Sequence, residues 1–437
     1  MSGSVTRSES KSESESAPRS RSRSRSGSGS RSGSRRRTLE ETIRVGNFAV
    51  QCLVEAINDK IKEKEPINLV GYVYDAHCTQ HKLLPVTDER GRTVPHQESP
   101  DRVAKINGAI RVTGLNQIMF HAGTISLKRA DFLRAHVKEY TQTIEDVCKR
   151  NRPAELPPPS TETSITDFNS LESIFAAVAS VMGGVNVVCS DAKISTAQII
   201  DSYKQKRMIP PRYKSEIPKR IFCNVRPPGH HAHSDHGAGF CFMNNIVIGA
   251  KYALDKYPNI NRVFIFDWDL HHGDGTQQIV GQEPTILADD VESPILYGSI
   301  HRGKETDDDG NQKDETDFYP FTGTTKDNET FTNVINVPLE QGATIDDYKA
   351  GFNRILRRAK EFNPDLIMIS AGFDSHKDDL YGELPLDYGD YEYMTKKLIN
   401  LADECADGRI VSVLEGGYTI DVLIRCVAVH VATMINY

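Results

Sequence analysis

Residues 266–275, FDWDLHHGDG, hold three acids and two histidines within eight positions, directly after an apolar run. Asp267 and Asp269 alternate with Phe266, Trp268 and Leu270. In an extended strand both carboxylates would point the same way, and His271 would continue that parity. Asp269 and His271, at i and i+2, can therefore share one metal ion. Zinc accepts imidazole nitrogen and carboxylate oxygen, and a catalytic zinc has three protein ligands plus an open position. The third ligand must come from elsewhere, and Asp374, at the end of MISAGFD, is the best placed.

The stretch RPPGHHAHSDHGAGF places His230, His231, His233 and His236 within seven residues. Two readings stand side by side. One is a second metal site. In the other, the tandem pair serves as general base and electrostatic aid, while the surrounding glycines allow close substrate approach. Adjacent histidines acquire different proton affinities when each leans on its own carboxylate. Asp267 and Asp274 are free for this, because Asp269 is committed to the metal. His233 and His236 read as loop residues. In LEGGYT two glycines precede Tyr418, so a phenol can reach into a cavity and donate to a developing oxyanion.

These groups need a frame. Near-continuous apolar runs precede each cluster: INLVGYVYD (67–75), RIFCNV (220–225), RVFIFDWD (262–269), PILYGSIH (294–301), NVINVPL (333–339), PDLIMISAGFD (364–374) and RIVSVLEGGY (409–418). Such runs are the pattern of parallel strands covered on both faces. Amphipathic helical patterns alternate with them, which predicts one α/β domain. In such sheets ligands bind outside the carboxyl ends of the strands. Four strand ends carrying His, Asp, Gly and Tyr thus predict one shared site. Two stretches, 191–219 and 302–317, read as inserted surface loops.

Of the 437 residues 38 % are hydrophobic, ample for a large core. Eight dispersed cysteines without a CxxC pair read as reduced thiols of an intracellular protein. No uninterrupted run of about 18 apolar residues is present, so no membrane span is expected. The N-terminus lacks the apolar core of a secretory signal. Residues 1–39 read as a disordered Arg/Ser-rich arm. Its first 38 residues hold nine Arg and one Lys against three Glu, a net of +7 on a chain of net −7. This arm suits nuclear import or contact with nuclear RNA–protein partners, and phosphorylation of its serines would reverse its charge. The nucleus is the expected compartment, with the cytoplasm as the alternative.

Taken together, RPPGHHAHSDHGAGFCFMNN, DWDLHHGDGT, YGSIH with FYPFTGT, ISAGFDSHKDDLYGELPL and LEGGYT resemble the zinc-dependent histone deacetylase family of arginase-like fold. The GFDS and LEGGY forms, with the upstream VYDAHCTQH and PHQESPDRVAKI, are similar to its class II members. The resemblance runs from about residue 68 to the end, outside the two insertions. It implies a single deacetylase domain over 40–437, with a central parallel sheet of about eight strands covered by helices on both faces. It implies hydrolysis of acetyl-lysine in basic protein tails such as histones, and a part in chromatin and transcription regulation. By this resemblance Asp269, His271 and Asp374 hold one zinc ion. His231 is the main general base and acid, His230 its tandem partner, and Asp267 and Asp274 support them. Tyr418 polarises the acetyl carbonyl. Gly239 and Phe240 form one wall of the acyl-lysine channel. Tyr319 stands on the opposite wall, where phenylalanine is usual. Arg102 lies below the metal. Asp267, Asp269, His271, Ser299 and Ile300 match a structural potassium site, and Asp167 matches an acid that clamps the substrate backbone. Trp268 occupies a position usually small or aliphatic. Tyr381 falls where polyamine-specific relatives carry glutamate, which argues against a polyamine substrate. The 302–317 stretch, with seven acids and two lysines, is expected at the channel mouth, where it would attract basic tails.

Three other readings remain. A ureohydrolase of related fold would need two bridged metals and more carboxylates. A catalytically weak acetyl-lysine-binding scaffold would bind without release. A deacetylase acting on non-histone or longer-acyl substrates would share the same site.

Overall fold

In a computed structural model the chain is described over residues 48–87, 90–281, 293–307, 310–311 and 313–437. The arm expected at 1–39 lies outside these residues. Eight strands form the main sheet: β1 (Val70–Val73), β2 (Phe120–Ala122), β3 (Arg220–Cys223), β4 (Val263–Asp267), β5 (Ile295–Arg302), β6 (Val334–Leu339), β7 (Leu366–Ala371) and β8 (Ile410–Leu414). Their spatial order is β6-β5-β4-β7-β8-β3-β1-β2, and every pairing is parallel. The chain leaves β4 toward β5 and β6, then returns to build β7 and β8 on the other side. The β4/β7 boundary is therefore a topological switch point, where a crevice opens at the carboxyl ends.

Both faces of the sheet are covered, which explains the unbroken apolar runs. Along β4, Phe264 and Phe266 enter one hydrophobic core, while Val263 and Ile265 enter the other. Trp268 continues the first set. It is fully buried and packs edge-on against Phe266 and His430, so it is a core residue. Helix Ile420–Asn436 packs on that face against Tyr388–Cys405, Phe48–Lys62 and Asp101–Val112. Helix Asn169–Cys189 covers the other face beside Asn245–Lys256. By length and composition, 169–189 is apolar enough to cross a membrane, but most of it is buried. An all-round apolar helix of this kind is a core helix. Gly184 lets it lie close to β3, because a Cβ there would meet the Cys223 sulfur at 2.7 Å.

Three expectations are corrected. The eighth strand, β2, was not among the predicted runs; FHA is too short to show a period. The 191–219 stretch is not a plain loop. It contains helix Ala197–Gln205, with Tyr203 buried, and a short strand, Arg212–Tyr213, that pairs with Pro66–Ile67. The 302–317 insertion begins one residue later than expected. Arg302 ends β5, is buried, and pairs with Asp317 at 3.0 Å and Glu383 at 2.9 Å.

Candidate active site

Strand β4 ends at Asp267, and the next residues do not stay extended. Asp267 Oδ1 accepts from the Asp269 amide (3.1 Å), and Asp269 Oδ1 accepts from the His271 amide (3.0 Å). Two successive Asx-type turns, rather than strand parity, bring these side chains together. The neighbouring strand β7 delivers Asp374. His271 Nδ1 lies 3.2 Å from Asp269 Oδ1 and 3.1 Å from Asp374 Oδ2. One ligand atom from each of the three residues falls within a 4.8 Å cluster. Backbone amides fix the carboxylates: Gly416 N donates to Asp269 (2.8 Å) and Leu270 N to Asp374 (2.9 Å). A Cβ on Gly372 or Gly416 would collide with these carboxylates, so both positions require glycine.

The electrostatics of this cluster follow from its burial and its close charges. Burial, reinforced by the Asp269 charge, pushes Asp374 up to about 6. Burial opposes charge on His271, but its bonds to Asp269 and Asp374 raise it to about 9. Two buried carboxylates facing one imidazole form a donor set whose negative charge a cation would satisfy. This nitrogen-and-two-oxygen donor set fits zinc.

The tandem histidines come from the loop after β3. His230 Nδ1 is 3.1 Å from Asp267 Oδ2, which also accepts from the Tyr297 hydroxyl at 3.0 Å. His231 Nδ1 is 2.7 Å from Asp274 Oδ1. Asp274 begins helix Asp274–Gly281. Its second oxygen is 2.9 Å from His233 Nε2, and the His233 ring stacks on His236 at 4.1 Å. His233 is therefore more than a loop residue, because it anchors the carboxylate that orients His231. Burial opposes charge on His230, but Asp269 and Asp267 outweigh it and hold the ring well above its usual pKa. Burial and the adjacent His230 lower His231 to about 4. The pair is thus divided into one charged and one neutral imidazole.

Several buried residues hold the site, and of these only Arg102 was expected from the sequence. Glu415 accepts from the amides of Gly229 (2.6 Å) and His230 (3.2 Å), and burial pushes its carboxyl up to about 7. Arg102 donates to Gly417 O (2.6 Å) and Glu415 O, and its guanidinium lies 5.0 Å from the Tyr418 ring centre. Glu98 pairs with Arg102 at 3.2 Å and with Arg226 at 2.6 and 2.7 Å. Asp379 Oδ2 accepts from the amides of Tyr418 (2.9 Å) and Thr419 (2.7 Å). Each lies in a motif already quoted, but single acids and arginines carry no spacing that reveals a partner distant in the chain. His230, Cys241 and Glu415 also lie close enough to ligate an ion. Burial keeps the Cys241 thiol well above its usual pKa, however, and both His230 and Glu415 are already hydrogen-bonded.

A cavity of about 170 Å³ leads to this centre, lined by Glu162, His231, Gly239, Phe240, His271, Tyr319, Tyr381 and Tyr418. Gly239 has φ 49°, and a Cβ there would strike the His231 ring. Tyr319 lies edge-on to His231 at 5.3 Å, and Tyr381 edge-on to Tyr418 at 5.2 Å. The Tyr381 hydroxyl accepts from Gln97 at 2.5 Å. Asp167 is not in this wall. Its carboxylate accepts from the Asn169 amide at the start of helix Asn169–Cys189 (2.9 Å), and the acid lining the cavity is Glu162. Of the residues expected to hold potassium, Asp267 ends β4, Asp269 and His271 follow it, and Ser299 and Ile300 lie within the adjacent β5, where Ser299 is the register partner of Asp267.

Comparison with known proteins bears on the family and the fold. A histone deacetylase domain profile matches residues 96–434. Histone deacetylase 5 of Arabidopsis thaliana is 31% identical over 80% of this chain and 47% of its own length. Histone deacetylase HDA1 of Candida albicans is 31% identical over 80% of this chain and 39% of its own length. The chain thus spans about half the length, or less, of these curated relatives. The fold matches the crystal structure of the HDA15 HD domain with a TM-score of 0.64 and 24% identity, over 84% of this chain and 89% of that one. With the profile covering most of its length, the chain belongs to the histone deacetylase family.

Proposed function

We propose that this chain is a zinc-dependent amidohydrolase that releases acetate from acetyl-lysine in basic protein tails such as histones. The observation that carries this reading is the Asp269–His271–Asp374 cluster at the end of an aromatic cavity that also exposes His231 and Tyr418. Phe240 and Tyr319 provide apolar ring faces for the lysine methylenes, and the cavity volume of about 170 Å³ suits a single side chain. When bound, zinc would act as a Lewis acid toward the acetyl carbonyl and would lower the pKa of a water toward about 7.

The chain's own groups do the rest. His231 is neutral, and its Nδ1 is engaged by Asp274. Its Nε2 is left to take the proton of the attacking water and return one to the departing lysine amine. His230, held charged by Asp267 and Asp269, stabilises negative charge without exchanging its proton. The Tyr418 hydroxyl donates to the oxygen that gains charge as the amide carbon becomes tetrahedral. Water adds to that carbon, the C–N bond breaks, and lysine and acetate leave.

We further propose that potassium at the β4–β5 ends serves structure, and that the basic arm directs the protein to the nucleus. The test is acetate release from acetylated and longer-acylated lysine peptides, before and after chelation and after zinc is restored. Zinc-dependent release supports the reading. Peptide binding without release would replace it with an acetyl-lysine-binding scaffold.

A further inference from the structure

Among the described residues, nine non-glycine residues have positive φ. Six of them, Lys64, Asn151, Asp191, Arg207, Asn363 and Asp407, lie just past the end of a helix. There a left-handed residue closes the last turn. The other three, Glu162 (51°), Phe240 (69°) and Phe321 (68°), gather at the cavity. Glu162 and Phe240 line it, and the Phe321 ring is 6.2 Å from that of the lining Tyr319.

A bulky residue in this region is strained, and such strain persists only where the surroundings impose it. Here they do. Phe321 N donates to Phe318 O (2.7 Å), His272 Nδ1 is 2.8 Å from the Thr322 hydroxyl, and His301 Nε2 is 2.9 Å from Gly323 O. Yet the fold gains little packing in return, because Phe321 is 51% exposed. Leu380, directly before the lining Tyr381, is 61% exposed, the most of any large apolar side chain among the described residues. Its segment is also fixed, through the bonds of Asp379 to Tyr418 and Thr419.

We propose that Phe321 and Leu380 form an apolar rim that receives a large apolar side chain immediately beside the acyl-lysine of the substrate. This inference rests on the function proposed above and names its sequence preference. A lysine threaded into the cavity leaves its main chain at the mouth. The neighbouring Cα atoms are then about 3.8 Å away, so their side chains reach groups one ring beyond the wall. An apolar neighbour buries these exposed surfaces, whereas a small polar one leaves them in water.

The test uses the zinc-loaded full chain and acetyl-lysine peptides that differ only in the residues beside the lysine: leucine or phenylalanine, serine, or aspartate. The apolar-flanked peptides should exceed the serine-flanked one by about tenfold in kcat/KM, the effect of burying part of one side chain. That ratio should fall toward one in Phe321→Gly and in Leu380→Ser. Glycine tolerates the backbone at 321, so the melting temperature should not drop. Equal kcat/KM for all flanks overturns the inference alone, as does an unchanged ratio in both variants. A change of oligomeric state in the variants, with the ratio intact, also overturns it and assigns the rim to contact between copies. No release from any peptide overturns the proposed function, and this inference with it.

Discussion

Uptake of metal by the apo-protein should be limited by protons. The perturbation is pH. Without the ion, Asp269 and Asp374 raise His271 to about 9, so at pH 7 the ring is protonated and cannot donate a lone pair. A raised pKa means the proton is lost only as pH climbs through that value. Apparent affinity should therefore rise tenfold per pH unit up to about 9. Between pH 7 and pH 9 that is ~100-fold, or about 2.7 kcal/mol at 1.36 kcal/mol per unit. Below about 6 Asp374 also takes a proton, and the slope should approach two. Competition with a zinc chelator from pH 5.5 to 8.5 measures the slope. Calorimetry in two buffers of different ionisation heat counts the protons released, about one at pH 7. A flat affinity with no proton release over this range would mean that His271 is already neutral. The electrostatic account of the cluster would then be wrong.

Three further outcomes are expected. Tyr418→Phe should bind zinc normally but lose about 10²–10³ in kcat, the usual cost of one oxyanion donor; wild-type turnover would remove the phenol from the chemistry. Asp379→Ala leaves the Tyr418 and Thr419 amides without their acceptor. It should cost about 1–3 kcal/mol in urea denaturation and lower kcat through a misplaced phenol, and a variant equal to wild type in both would deny Asp379 a positioning role. Glu98→Gln strips the negative partner from two fully buried arginines and should destabilise by about 3–5 kcal/mol. Burial opposes the Glu98 charge, but Arg226 and Arg102 depress its pKa to about 2. The stability it contributes in the native protein should therefore be full above about pH 4.5 and disappear as pH falls through 2.

Much of the site was legible because its chemistry is local. Asp267, Asp269, His271 and Asp274 lie within eight residues, and an apolar run before them marks a covered strand ending at a crevice. The same pattern of runs gave seven of the eight strands. The three-residue β2 escaped because it is held by pairing with β1 rather than by any period of its own. The helix at 197–205 escaped because the Pro pair after it suggested a loop.

By itself, the order of residues determined which groups could act and that a parallel α/β sheet would carry them, since periodicity and metal chemistry are properties of short segments. Only the tertiary structure decided how they meet. It replaced strand parity with two Asx turns, set Glu162 rather than Asp167 in the cavity wall, and revealed Glu415, Asp379 and the Glu98–Arg102–Arg226 triad as supports. The physical reason is distance along the chain. An interaction such as Glu98 with Arg226, 128 residues apart, exists only after the sheet has formed, and nothing in either local segment encodes it.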